Sequence, residues 1–245
     1  MPVPLRWTIK AGNGCAIVRV WGALDVAAAA RLRTSILKYL CEDPAALLFD
    51  LSAMTVRDQL SLNVFPALIS QANRWPSIPL LLCKPQPSVA RALKSGRYGR
   101  VPVYPSIVAG QAVARLGAEA SPTLTELLLP IDGAARHARS LAIEACLRWG
   151  VLHLAIPACL VTDELVNGAV DNAGTIMTLR ITRRPQFLLV AVLHGSPVRP
   201  VLPRFPLSDT EDHKRSLVEK FATHWGSLPS RDGRAVWATL KIARL

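Results

Sequence analysis

Residues 161–184, VTDELVNGAVDNAGTIMTLRITRR, change their hydrophobic period halfway. Val161, Leu165, Ala169 and Ala173 recur every four residues, the apolar row of a helix, opposite a second row of Leu160, Glu164, Asn167 and Asp171. From Met177 the pattern alternates. Met177, Leu179 and Ile181 interleave with Thr178, Arg180 and Thr182, as in a strand with one buried face. Both periods in so short a stretch call for a helix layered on a sheet. On composition alone, the row carrying Glu164 and Asn167 is a solvated helix face.

Before this stretch the chain alternates strand and helix. Residues 5–11 and 16–21 read as strands around Gly12-Asn13-Gly14, a hairpin signal, and Gly22 is expected to break the second. Asp25 is placed to cap an alanine-rich helix that ends near Cys41. The apolar run ALLFDL (46–51) reads as a buried parallel strand, followed by a helix over 59–74 and a strand within 76–83. A helix over 88–94, a strand over 101–104 and a helix over 107–116 complete a mostly parallel α/β layer fold. The small, polar segment 117–122 marks the boundary, giving domains 1–118 and 119–245. After it, a strand over 124–129 and a helix from Asp132 or Gly133 to Trp149 lead into the central helix, which Pro157 opens. Strands over 186–193, 225–228 and 235–242 and a helix over 216–224 then make an α+β sandwich, with a proline-rich lid or loop over 194–212.

Composition narrows the function classes. The chain is 51% apolar over 245 residues, enough for one large core or two ordinary ones. The formal charge of +12 is uneven: 14 of the 29 Lys and Arg, but 5 of the 17 Asp and Glu, precede residue 119. These cations are scattered, with no Lys/Arg block and no interleaved aromatics, which argues against nucleic acid as a partner. The start, MPVPLRWTIK, has no signal-peptide core, and no apolar run approaches ~20 residues, so neither secretion nor membrane insertion is expected. The five cysteines contain no CxxC pair. They predict buried, reduced thiols in a cytoplasmic protein and no metal site.

Two resemblances follow from the motifs. Gly22-Ala23-Leu24-Asp25, then Phe49-Asp50-Leu51-Ser52, then Val56-Arg57-Asp58 resemble a STAS domain of the anti-sigma-factor-antagonist type over residues 5 to 116. In that family an Asp-Ser-Ser-Gly-Leu loop carries the serine that accepts phosphate, at a helix N-terminus that would stabilise the dianion. The matching loop is Asp58-Gln59-Leu60-Ser61-Leu62. Asp58 is kept, Leu60 occupies the acceptor position, and Ser61 is the nearest hydroxyl. The resemblance therefore implies that the usual phosphoswitch is absent, with Ser61 one residue later and Ser70 further down the helix.

Glu164-Leu165-Val166-Asn167-Gly168-Ala169-Val170, with Asn172-Ala173-Gly174-Thr175 after it, resembles the N box of the histidine-kinase-like ATPase fold. The nearest version is that of bacterial anti-sigma-factor serine/threonine kinases, Glu-Leu-Val-Thr-Asn-Ala-Val-Arg-His-Ala, and Gly233 to Ala238 is similar to their closing strand. The resemblance implies that Glu164 would activate the attacking group if the domain is active. The position of the Mg²⁺-ligating Asn is Gly168. Asn167 is one helical step away, a rotation of about 100°, and Asn172 is a turn further on. His194, in Val192-Leu193-His194-Gly195-Ser196-Pro197, stands where an Asp would receive the adenine amine, with Ser196 beside it. The glycine-rich phosphate loop is replaced by Lys214-Arg215-Ser216-Leu217. Losing the charged hydrogen bond weakens binding by ~1.5–3 kcal/mol and losing the metal ligand by as much again, roughly a thousand-fold in affinity.

These features predict a non-catalytic partner-switching regulator of a sigma-factor network. It would bind a sigma factor, an anti-sigma factor or an antagonist, and would carry a vestigial nucleotide site at Asn167, Asn172, His194, Ser196, Lys214 and Arg215. No cofactor is expected, with ATP and Mg²⁺ entering only if that site still functions. A linker this short predicts contact between the halves. An ATP-dependent serine/threonine kinase with an atypical site, and a small-ligand sensor, remain open as alternatives.

Overall fold

The hairpin forms where Gly12 announces it. Strand β1 (Arg6–Gly12) runs antiparallel to β2 (Cys15–Leu24), with Thr8 opposite Arg19. The computed structural model describes residues 3–12, 15–95, 98, 101–117, 121–196 and 217–242. The expected turn residues Asn13 and Gly14 lie outside them. The chain divides into two units, Met1–Ala120 and Ser121–Leu245.

In the first unit β2 does not stop at Gly22. The chain passes Gly22 at φ +91° while residues 3 and 4 return alongside it: Ala23 N–H donates to Val3 C=O at 2.9 Å, and a Cβ on Gly22 would lie 2.5 Å from Pro4 O. A side chain there would be blocked by backbone as well as by conformation. Asp25 then caps α1 (Val26–Leu40), its Oδ1 accepting from Ala28 N–H at 2.8 Å. The following elements are β3 (Ala46–Val56), a 3₁₀ turn (Gln59–Asn63), α2 (Val64–Arg74), β4 (Leu80–Cys83), α3 (Pro87–Lys94), β5 (Val103–Tyr104) and α4 (Ile107–Gly117). The sheet order is β1-β2-β3-β4-β5, with β1/β2 antiparallel and the other pairs parallel.

Consecutive residues of β3 serve opposite faces. Phe49 meets Phe65 of α2 edge to face, with ring centroids 5.8 Å apart. Leu48 belongs instead to a cluster with Cys83 and Ala114 of α4. A Cβ on Gly110 would come within 2.7 Å of Cys83 Sγ, so glycine is what lets α4 lie this close to the sheet. The continuous apolar run in β3 is thus explained by helices on both sides.

The second unit runs β6 (Thr123–Leu128), α5 (Ala134–Arg148), a 3₁₀ turn (Leu152–Leu154), α6 (Ala155–Ala173), β7 (Met177–Arg183), β8 (Phe187–His194), α7 (Leu217–Phe221), β9 (His224–Pro229) and β10 (Arg234–Lys241). Its sheet, ordered β6-β7-β8-β10-β9, is antiparallel throughout. Helix α6 begins before Pro157, which sits in the first turn where its missing N–H breaks no bond. Gly174, at φ +58°, ends it. Alanines 138, 142 and 145 of α5 and Ala158 and Ala169 of α6 are buried. Their small side chains allow two helices to share one core with Met177, Leu179, Ile181, Val190 and Val192.

All five cysteines are free thiols. Cys41, Cys83 and Cys146 are buried, while Cys15 and Cys159 are partly exposed. Burial pushes the thiols of Cys83 and Cys146 up to about 11, far from reactivity at neutral pH. No helix among the described residues is long and apolar enough to cross a membrane.

Candidate functional site

The first unit concentrates its motif residues at the end of β3. Asp58 Oδ1 accepts from Leu60 N–H at 2.9 Å and so caps the 3₁₀ turn that leads into α2. The turn is further tied down from outside: Tyr98 donates its hydroxyl to Gln59 C=O at 2.8 Å, and Arg57 N–H donates to Leu24 C=O at 2.9 Å. Within it the two candidate positions diverge. Ser61 is 4% exposed, and its hydroxyl donates to Asp58 C=O. Leu60, one residue earlier, is 57% exposed. The hydroxyl is therefore turned inward and the outward position carries no nucleophile.

The second unit brings together part of the residues selected from its sequence. Glu164 is 4% exposed although it belongs to the polar row of α6, because α7 packs across it. One carboxylate oxygen accepts the backbone N–H of Val218, in the first turn of α7, at 3.0 Å. Asn167 is exposed, and Asn172 folds back to donate its amide to Gly168 C=O at 2.6 Å. A Cβ built on Gly168 meets nothing within 4 Å. At the end of β8, His194 is 5% exposed and lies between Met177 and Arg234 in the sheet. Its Nδ1 accepts from Ser196 N–H at 3.3 Å, and Gly195 N–H donates to Thr175 Oγ1 at 3.0 Å. Gly233 closes this corner, since a Cβ there would lie 2.6 Å from Gly195 C. Lys214, Arg215 and most of the proline-rich segment lie outside the described residues.

Glu164 already holds a backbone amide, Gly168 offers no side-chain oxygen, and the Asn172 amide is bonded within its own helix. Among the described residues no cluster of three or more His, Cys, Asp or Glu could hold a metal ion. Among the described residues of this site, the Glu164 carboxylate and the Asn172 amide are thus engaged within the fold itself.

Two consequences can be measured here. Gly168→Ala should raise the stability of the second unit by about 0.5–1 kcal/mol, because a mid-helix glycine with open space beside it contributes only chain entropy. A melting rise of a few degrees checks it, and a fall would mean the space is used. His194 is held below the usual histidine range, first by burial and then by the charge of Arg234. A base depressed in the folded state contributes stability that is full above its ordinary value, near 6.5, and is lost as pH falls toward the folded-state value. Urea unfolding at about pH 7.5 and about pH 5.5 should therefore show acid destabilisation of the wild type. The loss should be smaller in His194→Asn, which keeps an acceptor but does not titrate. Equal losses would remove His194 from the account.

The comparisons with known proteins bear on the first unit. The STAS domain family matches residues 6–109, so this part of the chain is a STAS domain. No curated protein matches the chain. Among solved structures, the anti-sigma factor antagonist SpoIIAA in its unphosphorylated form is similar at 13% identity and TM-score 0.38, over 45% of this chain and 96% of that one. An anti-sigma factor antagonist from Mycobacterium paratuberculosis shares 21% identity at TM-score 0.40, over 45% and 94%. A Moorella thermoacetica RsbS variant shares 19% at TM-score 0.39, over 45% and 96%.

The partner of Glu164, the backbone of Val218, could not be found from spacing. It lies 54 residues along the chain and donates through a main-chain group that every residue except proline carries. Thr175 as the acceptor for Gly195 was likewise missed.

Proposed function

We propose that the chain is a non-catalytic regulator of a bacterial sigma-factor network, acting by protein–protein binding through its STAS unit. The observation that carries this reading is Leu60. It projects at the position where the resembling antagonists carry their phosphoacceptor, on a turn fixed by Asp58, Tyr98 and Leu24. An exposed leucine on a rigid turn suits an apolar contact with another protein and offers no oxygen to phosphorylate. The second unit supports the same reading, because Glu164 and Asn172 are engaged in holding their own fold. The partner class is an anti-sigma factor or its kinase, and the setting is cytoplasmic.

The test is incubation of the purified chain with an anti-sigma-factor kinase and Mg·ATP, reading binding and phosphate incorporation together. Binding without incorporation is expected, weakened roughly tenfold or more by Leu60→Glu, which puts a charge into an apolar contact. Phosphate on Ser61 would overturn the reading. So would phosphotransfer by the chain itself, or a rise in its melting temperature with millimolar Mg·ATP, since a micromolar site would add about 4 kcal/mol.

A further inference from the structure

The outer edge of β1 is open. This strand is terminal in its sheet, and among the described residues nothing pairs with it on the side away from β2. Its two faces are chemically different. Arg6, Thr8 and Lys10 are exposed on one, while Trp7 and Ile9 are partly buried on the other. Trp7 donates its indole N–H to Ser35 Oγ of α1 at 3.0 Å, so this second face is the one that α1 covers. On the cationic face β2 adds Arg19, directly opposite Thr8, and Trp21, opposite Arg6. Among the described residues no ion pair engages Arg6, Lys10 or Arg19. Asp50 is in register with Arg19, but its Oδ1 accepts from both the N–H and the hydroxyl of Ser52.

Cations on an edge strand discourage pairing with its own kind. Two β1 strands paired antiparallel about Thr8 would set Arg6 against Lys10 on each side, like charge against like. A second copy is therefore a poor occupant, and charge complementarity selects another. We propose that the outer edge of β1 accepts an extended acidic segment of a partner protein as an added strand. Asp or Glu at alternate positions would stand beside Arg6 and Lys10. The residues between them would be apolar and would extend the cover over Trp7 and Ile9. Main-chain hydrogen bonds supply the attachment and the alternation supplies the selectivity. A single-stranded nucleic acid would use the same cations but needs open aromatic faces for its bases, and Trp21 is partly buried. The proposal concerns a different edge from the turn at Leu60, so its failure would leave the regulatory reading standing.

The test uses the full chain and fluorescein-labelled peptides of about eight residues, a strand's length. One alternates valine with glutamate and the other valine with lysine, and an oligothymidylate of similar length is run beside them. Anisotropy at low salt should show the glutamate peptide bound and largely released by about 0.5 M salt. The double variant Arg6→Glu/Lys10→Glu should lose that peptide by roughly tenfold and gain the lysine peptide by a similar factor. Both positions are exposed, and an unchanged melting temperature verifies the fold. Should the double variant misfold, Thr8→Glu, also exposed, should weaken the same peptide. No binding of the glutamate peptide, binding that ignores these substitutions, or tighter binding of the oligothymidylate with the same dependence on Arg6 and Lys10 would each overturn the proposal.

Discussion

Glu164→Ala is expected to destabilise the second unit by about 3 kcal/mol, lowering its melting temperature by roughly 10 °C. Two losses add. Val218 N–H, buried at the start of α7, loses a charged acceptor at 3.0 Å, and such bonds contribute about 1.5–3 kcal/mol. The removed side chain also leaves space under a helix whose Val218 is fully buried. Glu164→Gln keeps an acceptor oxygen without the charge, so it should fall between Ala and the wild type. The ranking separates two roles for one residue. A carboxylate kept for activating a substrate tolerates truncation with little change in stability, and such sites commonly gain stability when the polar group is removed. Thermal unfolding of the three proteins decides. An unchanged melting temperature in Glu164→Ala would mean that α7 does not depend on this carboxylate.

The contrast between Asp25 and Glu164 explains how far the sequence could be read. Asp25 acts within its own turn, three residues from its partner, and a cap of this kind is visible as an Asp before an alanine-rich periodic run. The alternation in 177–182 likewise predicted β7 and the burial of Met177, Leu179 and Ile181, although Thr182, expected on the other face, is buried too. Glu164 belongs to the same helix periodicity as the exposed Asn167 and Asp171, and periodicity alone assigned all three to solvent. What buries Glu164 is a short helix that comes much later in the chain, and no local rule reports that. Gly22 gave a similar result. Its strand-breaking tendency is real, but the return of residues 3 and 4 supplies hydrogen-bond partners that carry β2 on to Leu24. The cations of the β1 edge looked scattered because Arg6, Lys10 and Arg19 are spaced along the chain, and strand pairing brings them onto one face.

The turn at Asp58 yields the other large effect, as a difference between adjacent residues. Ser61→Glu should destabilise the first unit by several kcal/mol, and Leu60→Glu should leave it within about 0.5 kcal/mol of the wild type. Ser61 is buried, its hydroxyl donates to Asp58 C=O, and Leu24 O lies 3.5 Å away. A carboxylate there would lose its hydration and face carbonyl oxygens, which repel it. A phosphate on Ser61 would meet the same surroundings with more charge, so modification at this position would require the turn to open. Leu60 projects into solvent, where a charge replaces apolar surface at little cost. Urea unfolding of both variants reads the difference directly. If Ser61→Glu were as stable as Leu60→Glu, the hydroxyl of Ser61 would have an outward position open to it, and phosphorylation at that serine would become the mechanism to pursue. If the two differ as expected, the turn accepts a charge at its outward position and rejects one at its inward position, and any modification of Ser61 must wait for the turn to open.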